Sequence, residues 1–223
     1  MTESIISLNG ESVQTLEVLF LTTMITLLPS LLVMMTPFSR YVISFSFVRS
    51  ALGTQQTPPN VVLIGLALFL TLFTMGPTID EIKTTAYEPY IEEQISQEEF
   101  VERAQAPLKE FMLRNTKTST LEMYCDLADM SAPETFDLET TSELPLRVIV
   151  PAFMTCELQR AFEIGFLLYI PFMLIDIVVS STLMSMGMIM LPPSMISMPF
   201  KLLLFVAVNG WELLFSSLVQ GFR

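Results

Sequence analysis

The sequence predicts an all-α integral membrane fold: membrane-associated helical hairpins with broken helices, plus a small acidic helical module on the extracytoplasmic side. Three observations predict it. Apolar residues make up 52% of the 223 residues, at a mean hydropathy of +0.58. They are gathered in long blocks without the periodicity of surface helices or half-buried strands. The net charge of −12 is concentrated, because 80–145 holds sixteen acids against Lys83, Arg103, Lys109, Arg114 and Lys117.

Taken in chain order, residues 1–14 form an acidic tail with Glu3 and Glu11. Met1-Thr-Glu-Ser has no basic n-region, so either no signal peptide is used or one has been removed. Residues 15–79 make a first helical hairpin. Its Leu16–Thr36 block carries one acid, Glu17, and Pro29 is expected to interrupt it. Val61–Pro77 has no charge at all. At ~1.5 Å per residue it reaches about 25 Å, short of a ~30 Å hydrocarbon core. The connection from Pro37 to Pro59 has Arg40 and Arg49 and no acid, which places it on the cytoplasmic side.

Residues 80–147 then form the extracytoplasmic module. Ser96–Glu99 and Ser119–Glu122 both read as capping boxes, in which a hydroxyl and a carboxylate satisfy backbone N–H groups at a helix start. Phe100, Ala104, Leu108, Phe111 and Met112 recur every three or four residues and define one apolar helix face, with Pro107 starting a new turn within it. The acidic stretch 131–143 has little to bury and reads as a mobile loop, a solvated face more often than a binding site.

Residues 148–223 form the second hairpin. Val148–Leu191 contains Glu157, Arg160, Glu163 and Asp176, and Met195–Phe222 contains Lys201 and Glu212. A charge facing lipid alone at mid-membrane costs ~2.5–3.5 kcal/mol, several times what a neighbouring leucine returns. These groups are therefore expected to be paired or to face water. Glu157 and Arg160 stand three apart and can pair on one helix face. Asp176 can meet Lys201 across the hairpin, but with the hinge at Pro192-Pro193 the two differ in depth by roughly 12 Å, so another subunit is an equal source of partners. A pair that fixes helix register and a role in gating or proton coupling both remain open.

Between the two arms lies a charge-free turn with Met184, Met186, Met188, Met190, Met195 and Met198. Methionine is unbranched and polarizable, so the cluster suits either an irregular core or a surface that closes tightly and still yields. Catalysis is a poor fit. There is no histidine, and no P-loop, dinucleotide fingerprint or basic stripe for nucleic acid. Cys125 and Cys156 lack metal-ligand spacing and read as unpaired packing residues, with no cofactor implied. A small-solute transporter would also use broken helices and intramembrane charges, but would add an internal repeat that the chain does not display. An intramembrane aspartyl-type hydrolase would need two opposed carboxylates, for which Glu157 and Asp176 are the pair available.

Arg49 to Asn60 (RSALGTQQTPPN) followed by Val61 to Thr71, then Glu110 to Arg114, Pro145 to Phe153, Glu157 to Pro171 and Met184 to Val206, resemble the FliP/SctR family of export-gate proteins in order and over nearly the whole chain. Thr57-Pro58-Pro59-Asn60 is closer to the flagellar than to the virulence-secretion branch. The resemblance implies a multi-pass subunit of the type III secretion export gate in the bacterial inner membrane, at the flagellum basal body. It implies a homo-oligomer, a pentamer, assembling with FliQ and FliR, engaging FlhB and working beside the FlhA ring. The assembled helical cone would stand largely above the membrane plane and pass unfolded flagellar subunits. Broken helices suit such packing, because protein neighbours satisfy freed backbone groups. The family's methionine gasket falls on Met188, Ile189 and Met190, with a stiff β-branched residue at the middle position. Glu157, Asp176 and Lys201 match charged family positions, which implies a part in subunit packing.

Overall fold

The computed structural model describes residues 6–8, 11–13, 15–131, 141–188 and 190–222. A short antiparallel hairpin, β1 (Ile6–Leu8) and β2 (Glu11–Val13), pairs Ile6 with Val13 and precedes an otherwise helical fold. The helices are α1 (Thr15–Met34), α2 (Phe38–Leu52), α3 (Asn60–Thr74), α4 (Gly76–Ile82), α5 (Glu88–Ile91), α6 (Gln97–Arg114), α7 (Thr118–Leu127), α8 (Leu146–Ser185), α9 (Pro193–Ala207) and α10 (Gly210–Gln220). A π-helical turn, Lys83–Tyr87, links α4 to α5.

Prolines start helices here more often than they stop them. Pro77 and Pro193 occupy first-turn positions, where a missing N–H costs nothing. Pro29, expected to break its block, lies inside α1, as Pro107 does inside α6 and Pro151 and Pro171 do inside α8. In apolar helices the freed carbonyl is tolerated when neighbours or side chains cover it. The hydroxyls of Thr22, Thr23 and Thr26 each donate to the carbonyl four residues back, so these side chains find their acceptors within α1.

The breaks lie elsewhere. The α3–α4 pair bends by 58° at Met75, just before Gly76-Pro77. The α9–α10 pair bends by 63°, where Asn209 adopts a left-handed conformation (φ 52°). Gly210 follows it, and a Cβ there would collide with the Phe205 ring. The block from Val148, by contrast, is one helix of 40 residues. At ~1.5 Å per residue α8 is about 60 Å long, twice a hydrocarbon core. Among the described residues it alone is long and apolar enough to cross a membrane by itself, and each bent pair qualifies only as one broken span.

Two cores form along α8. Near its start, Val148, Ile149, Ala152 and Phe153 close against Met112 and Leu113 of α6 and Leu121 and Cys125 of α7. The acidic module thus buries its apolar face on the first turns of the long helix. Ser96 caps α6 by accepting from the Glu99 N–H at 3.2 Å, as expected. Ser119 caps nothing: α7 already begins at Thr118, and Lys117 precedes it in extended conformation with its N–H donating to Cys156 Sγ. Both cysteines are free and buried. The stretch 132–140, most of the expected acidic loop, lies outside the described residues.

The second core joins Tyr41, Phe45, Val48 and Leu52 of α2 to Leu63 and Ala67 of α3, Phe172 of α8, Phe205 of α9, and Leu214 and Leu218 of α10. Most of the Pro37–Pro59 connection is therefore a packed helix. Tyr41, Phe45, Val48 and Leu52 recur at four, three and four residues, a helical stripe that the flanking prolines obscure. Helix α2 runs parallel to α8, since Arg40 meets Glu157, Phe47 meets Phe162 with ring centroids 5.3 Å apart, and the Tyr169 hydroxyl donates to the Ser50 carbonyl. Gly165 allows this approach, because any side chain there would strike the Phe47 ring. Outside the cores, Phe162, Phe166, Ile170, Leu174 and Val178 stand exposed at four-residue intervals on α8. Such a stripe faces lipid or another subunit.

Candidate functional site

Three arrangements tie the helices together. The first lies where the two cores meet. The Arg40 Nε donates to Glu157 Oε2 at 2.8 Å, and Nη2 donates to Oε1, a bidentate fork. Arg40 is 2% exposed and Glu157 fully buried. The guanidinium also donates from Nη1 to the Gly221 carbonyl at 3.4 Å and lies 3.5 Å from the Phe222 ring centroid. One arginine therefore joins α2, α8 and the end of α10. Glu157 does not pair with Arg160, as their spacing had suggested. The Arg160 Nη1 donates to Asn115 Oδ1 at 3.5 Å instead. Arg40, read from sequence as a charge on the cytoplasmic connection, is a core residue and no longer informs orientation.

The second arrangement joins the arms of the second hairpin. Lys201 Nζ donates to Asp176 Oδ2 at 2.7 Å, and Ser197 Oγ donates to Asp176 Oδ1 at 2.6 Å. Ser197 and Lys201 stand four apart on α9 and reach the same carboxylate from one helix face. The expected depth mismatch is absent because the chain turns before the proline pair. Helix α8 stops at Ser185, nine residues past Asp176, and α9 starts at Pro193, eight before Lys201. The stop is a Schellman cap: Gly187 is left-handed (φ 74°), its N–H donates to the Met184 carbonyl, and the Met188 N–H reaches the Leu183 carbonyl, both at 3.0 Å.

The third is the turn itself. Met190 is 99% exposed, and Met184, Met186, Met188 and Met195 are also exposed. They fill no core of this chain. Ile189, the middle position of the gasket triplet, lies outside the described residues. Glu157 and Asp176 do not form an opposed dyad: they are nineteen residues, about 28 Å, apart along α8 and each faces its own cation. Sequence reading missed Arg40, Phe222 and Ser197 as partners in these sites. For Arg40 a signal existed in the helical stripe of α2; for Phe222 and Ser197 none did.

A long apolar helix, two bent apolar helix pairs, and buried charges that tie helices to one another describe a helical membrane protein. The chain belongs to the FliP family, whose model matches residues 21–218. It is 50% identical to the flagellar biosynthetic protein FliP of Aquifex aeolicus over 96% of this chain and 88% of that protein. It is likewise 50% identical to that of Bacillus subtilis over 93% and 92%. The Caulobacter vibrioides protein of the same name is 45% identical over 100% and 84%.

Proposed function

We propose that this chain is a core subunit of the flagellar type III protein export gate, forming a channel for unfolded flagellar proteins across the inner membrane. The observation that carries the reading is the cluster of exposed methionines at the tip of a hairpin whose register is held by Asp176, Ser197 and Lys201. Brought together from several copies around an axis, such tips make an apolar constriction that closes by dewetting and by mutual packing. Thioethers yield to a passing chain through many weak contacts. In this reading Met188, Ile189 and Met190 form the seal. Glu157, Asp176 and Lys201 hold the shape on which assembly depends.

The assembly is a pentamer built with FliQ and FliR, contacting FlhB and FlhA at the basal body. Residues 15–79 and 148–223 are its membrane-associated hairpins, and 80–147 its extracytoplasmic module. The exposed apolar stripe of α8 supports packing against other subunits, and its ~60 Å length supports a cone that rises beyond the bilayer. The flagellar names of the relatives favour this reading over a virulence apparatus.

Ion leak across the inner membrane tests it, comparing the parent with Met188→Ala plus Met190→Ala while complex abundance is followed. Leak that rises with assembly intact is the expected result. Unchanged leak with intact assembly makes these methionines packing residues and moves the gate elsewhere.

A further inference from the structure

Two cavities open along one seam of the molecule. The first, about 480 Å³, is polar and is lined by Thr78, Glu81, Glu110, Arg114, Arg160 and Phe222, among others. The second, about 610 Å³, is apolar and is lined by Leu167, Leu168, Pro171, Leu204, Leu213 and Ser217, among others. Both volumes fall in the ~300–1,000 Å³ range of small-molecule sites. On α8, Arg160 faces the polar cavity, and Ile164, Leu167, Leu168 and Pro171 follow it at four, seven, eight and eleven residues in the apolar one. Just past α10, Gly221 faces the polar cavity, and on α10 Ser217, Leu214 and Leu213 face the apolar one. Those spacings keep each set on one helix face. On these helix faces the apolar groove thus follows the polar cavity, over about 16 Å from Arg160 to Pro171.

The charges in the polar cavity are incompletely matched. Glu110 is held by Arg114. Arg160 has only the long bond to Asn115, and among the described residues no carboxylate lies within ion-pair distance of it. Glu81 likewise meets no cation among the described residues. The cavity therefore offers one unmatched cation and one unmatched anion. It also sits where apolar surface ends. Helix α3 is charge-free up to Thr74, which lines the polar cavity, and beyond Glu163 the rest of α8 carries Asp176 as its only charge. A polar cavity at that depth, followed by an apolar groove, fits an amphiphile.

We infer that this seam binds a zwitterionic aminophospholipid, with its phosphate on Arg160, its ammonium on Glu81, and one acyl chain along the groove between α8 and α10. A carboxylate from a second copy of the chain would satisfy Arg160 but leave Glu81 and the groove unoccupied. The inference rests on the membrane placement proposed above for these helices, and the lipid-binding test is separate from the ion-leak test of the seal.

The test uses the full chain, delipidated in detergent, with phosphatidylethanolamine and phosphatidylglycerol as probes and native mass spectrometry as the readout. The parent is expected to retain phosphatidylethanolamine in preference. Arg160→Gln removes a charge-assisted bond and weakens that binding about tenfold. Glu81→Gln abolishes the preference while phosphatidylglycerol still binds. Leu213→Trp fills the groove without touching a charge, and weakens both lipids even if Arg160→Gln does not fold. Equal binding of the two lipids by the parent, phosphatidylethanolamine binding untouched by Leu213→Trp, or cross-linking of a second copy's carboxylate to the cavity with no lipid bound would each overturn the inference.

Discussion

Glu157→Gln is the most searching single change available in this fold. The amide keeps the size and one acceptor oxygen of the carboxylate, so packing is conserved while the charge is lost. Arg40 stays ionised, because guanidinium does not deprotonate in proteins. It is left 2% exposed without a counter-ion. Removing one partner of a buried pair costs about 3–5 kcal/mol. The Phe222 ring at 3.5 Å and the Gly221 carbonyl remain, and a desolvated cation–π contact, worth about 2 kcal/mol or more, keeps the cation partly stabilised. The loss should therefore fall near the lower end, about 3 kcal/mol, or two powers of ten in the folding equilibrium.

The protein carries its own reporter. Trp211 is the single tryptophan, packed edge-on to Phe205 at 5.2 Å and against Phe215 at 5.7 Å. It lies on α10, the helix whose end Arg40 holds. Denaturant titration in micelles, followed by Trp211 fluorescence, reads the cost directly. Arg40→Met with Glu157→Leu removes both charges together and should return within about 1 kcal/mol of the parent, since apolar replacement of a whole buried pair is often neutral. A Glu157→Gln cost below 1 kcal/mol, or a double variant as unstable as the single one, would refute the claim that an uncompensated charge is what the pair prevents.

In the second hairpin, Asp176→Asn strands Lys201, which is 5% exposed, and should destabilise more than Ser197→Ala, which removes one hydrogen bond worth about 0.5–1.5 kcal/mol; the same titration orders them. Gly165→Ala forces the Phe47 ring aside and should cost about 1–3 kcal/mol. Gly65→Ala, on α3 with open space around it, should gain up to about 1 kcal/mol of helix propensity by the same measurement. Burial, with Asp126 and Glu122 nearby, pushes the Cys125 thiol up. The unfolded chain therefore releases that proton first, and stability should fall as pH rises above the ordinary thiol value of ~8.5, a loss that Cys125→Ala removes in a pH series of unfolding midpoints.

Much of the fold is legible because its causes are local. The Ser96 cap depends on a few adjacent residues. The apolar blocks announce themselves by composition, and the resemblance places the methionine turn. Reading failed where a local rule was outvoted by context. Pro29 did not break α1, and the prolines around α2 hid a helix. The Pro192-Pro193 pair drew the hinge toward itself, although Gly187 had already ended the preceding helix. Sequence spacing offers Glu157 the nearby Arg160, but the cation nearest in space is Arg40.

By itself the sequence determined that this chain is helical, that it is apolar enough for a membrane, and that Glu157, Asp176 and Lys201 are charges in need of partners. Spacing and composition act over a few turns, and they suffice for that. Only the tertiary structure decided which charges meet. Arg40 and Glu157 are 117 residues apart, and their fork exists because α2 runs parallel to α8 with Gly165 admitting Phe47 at the crossing. Asp176 and Lys201 meet because the chain reverses midway between them. A salt bridge is fixed by distances of a few ångströms between helices, and helix packing sets those distances through contacts that no sequence interval records.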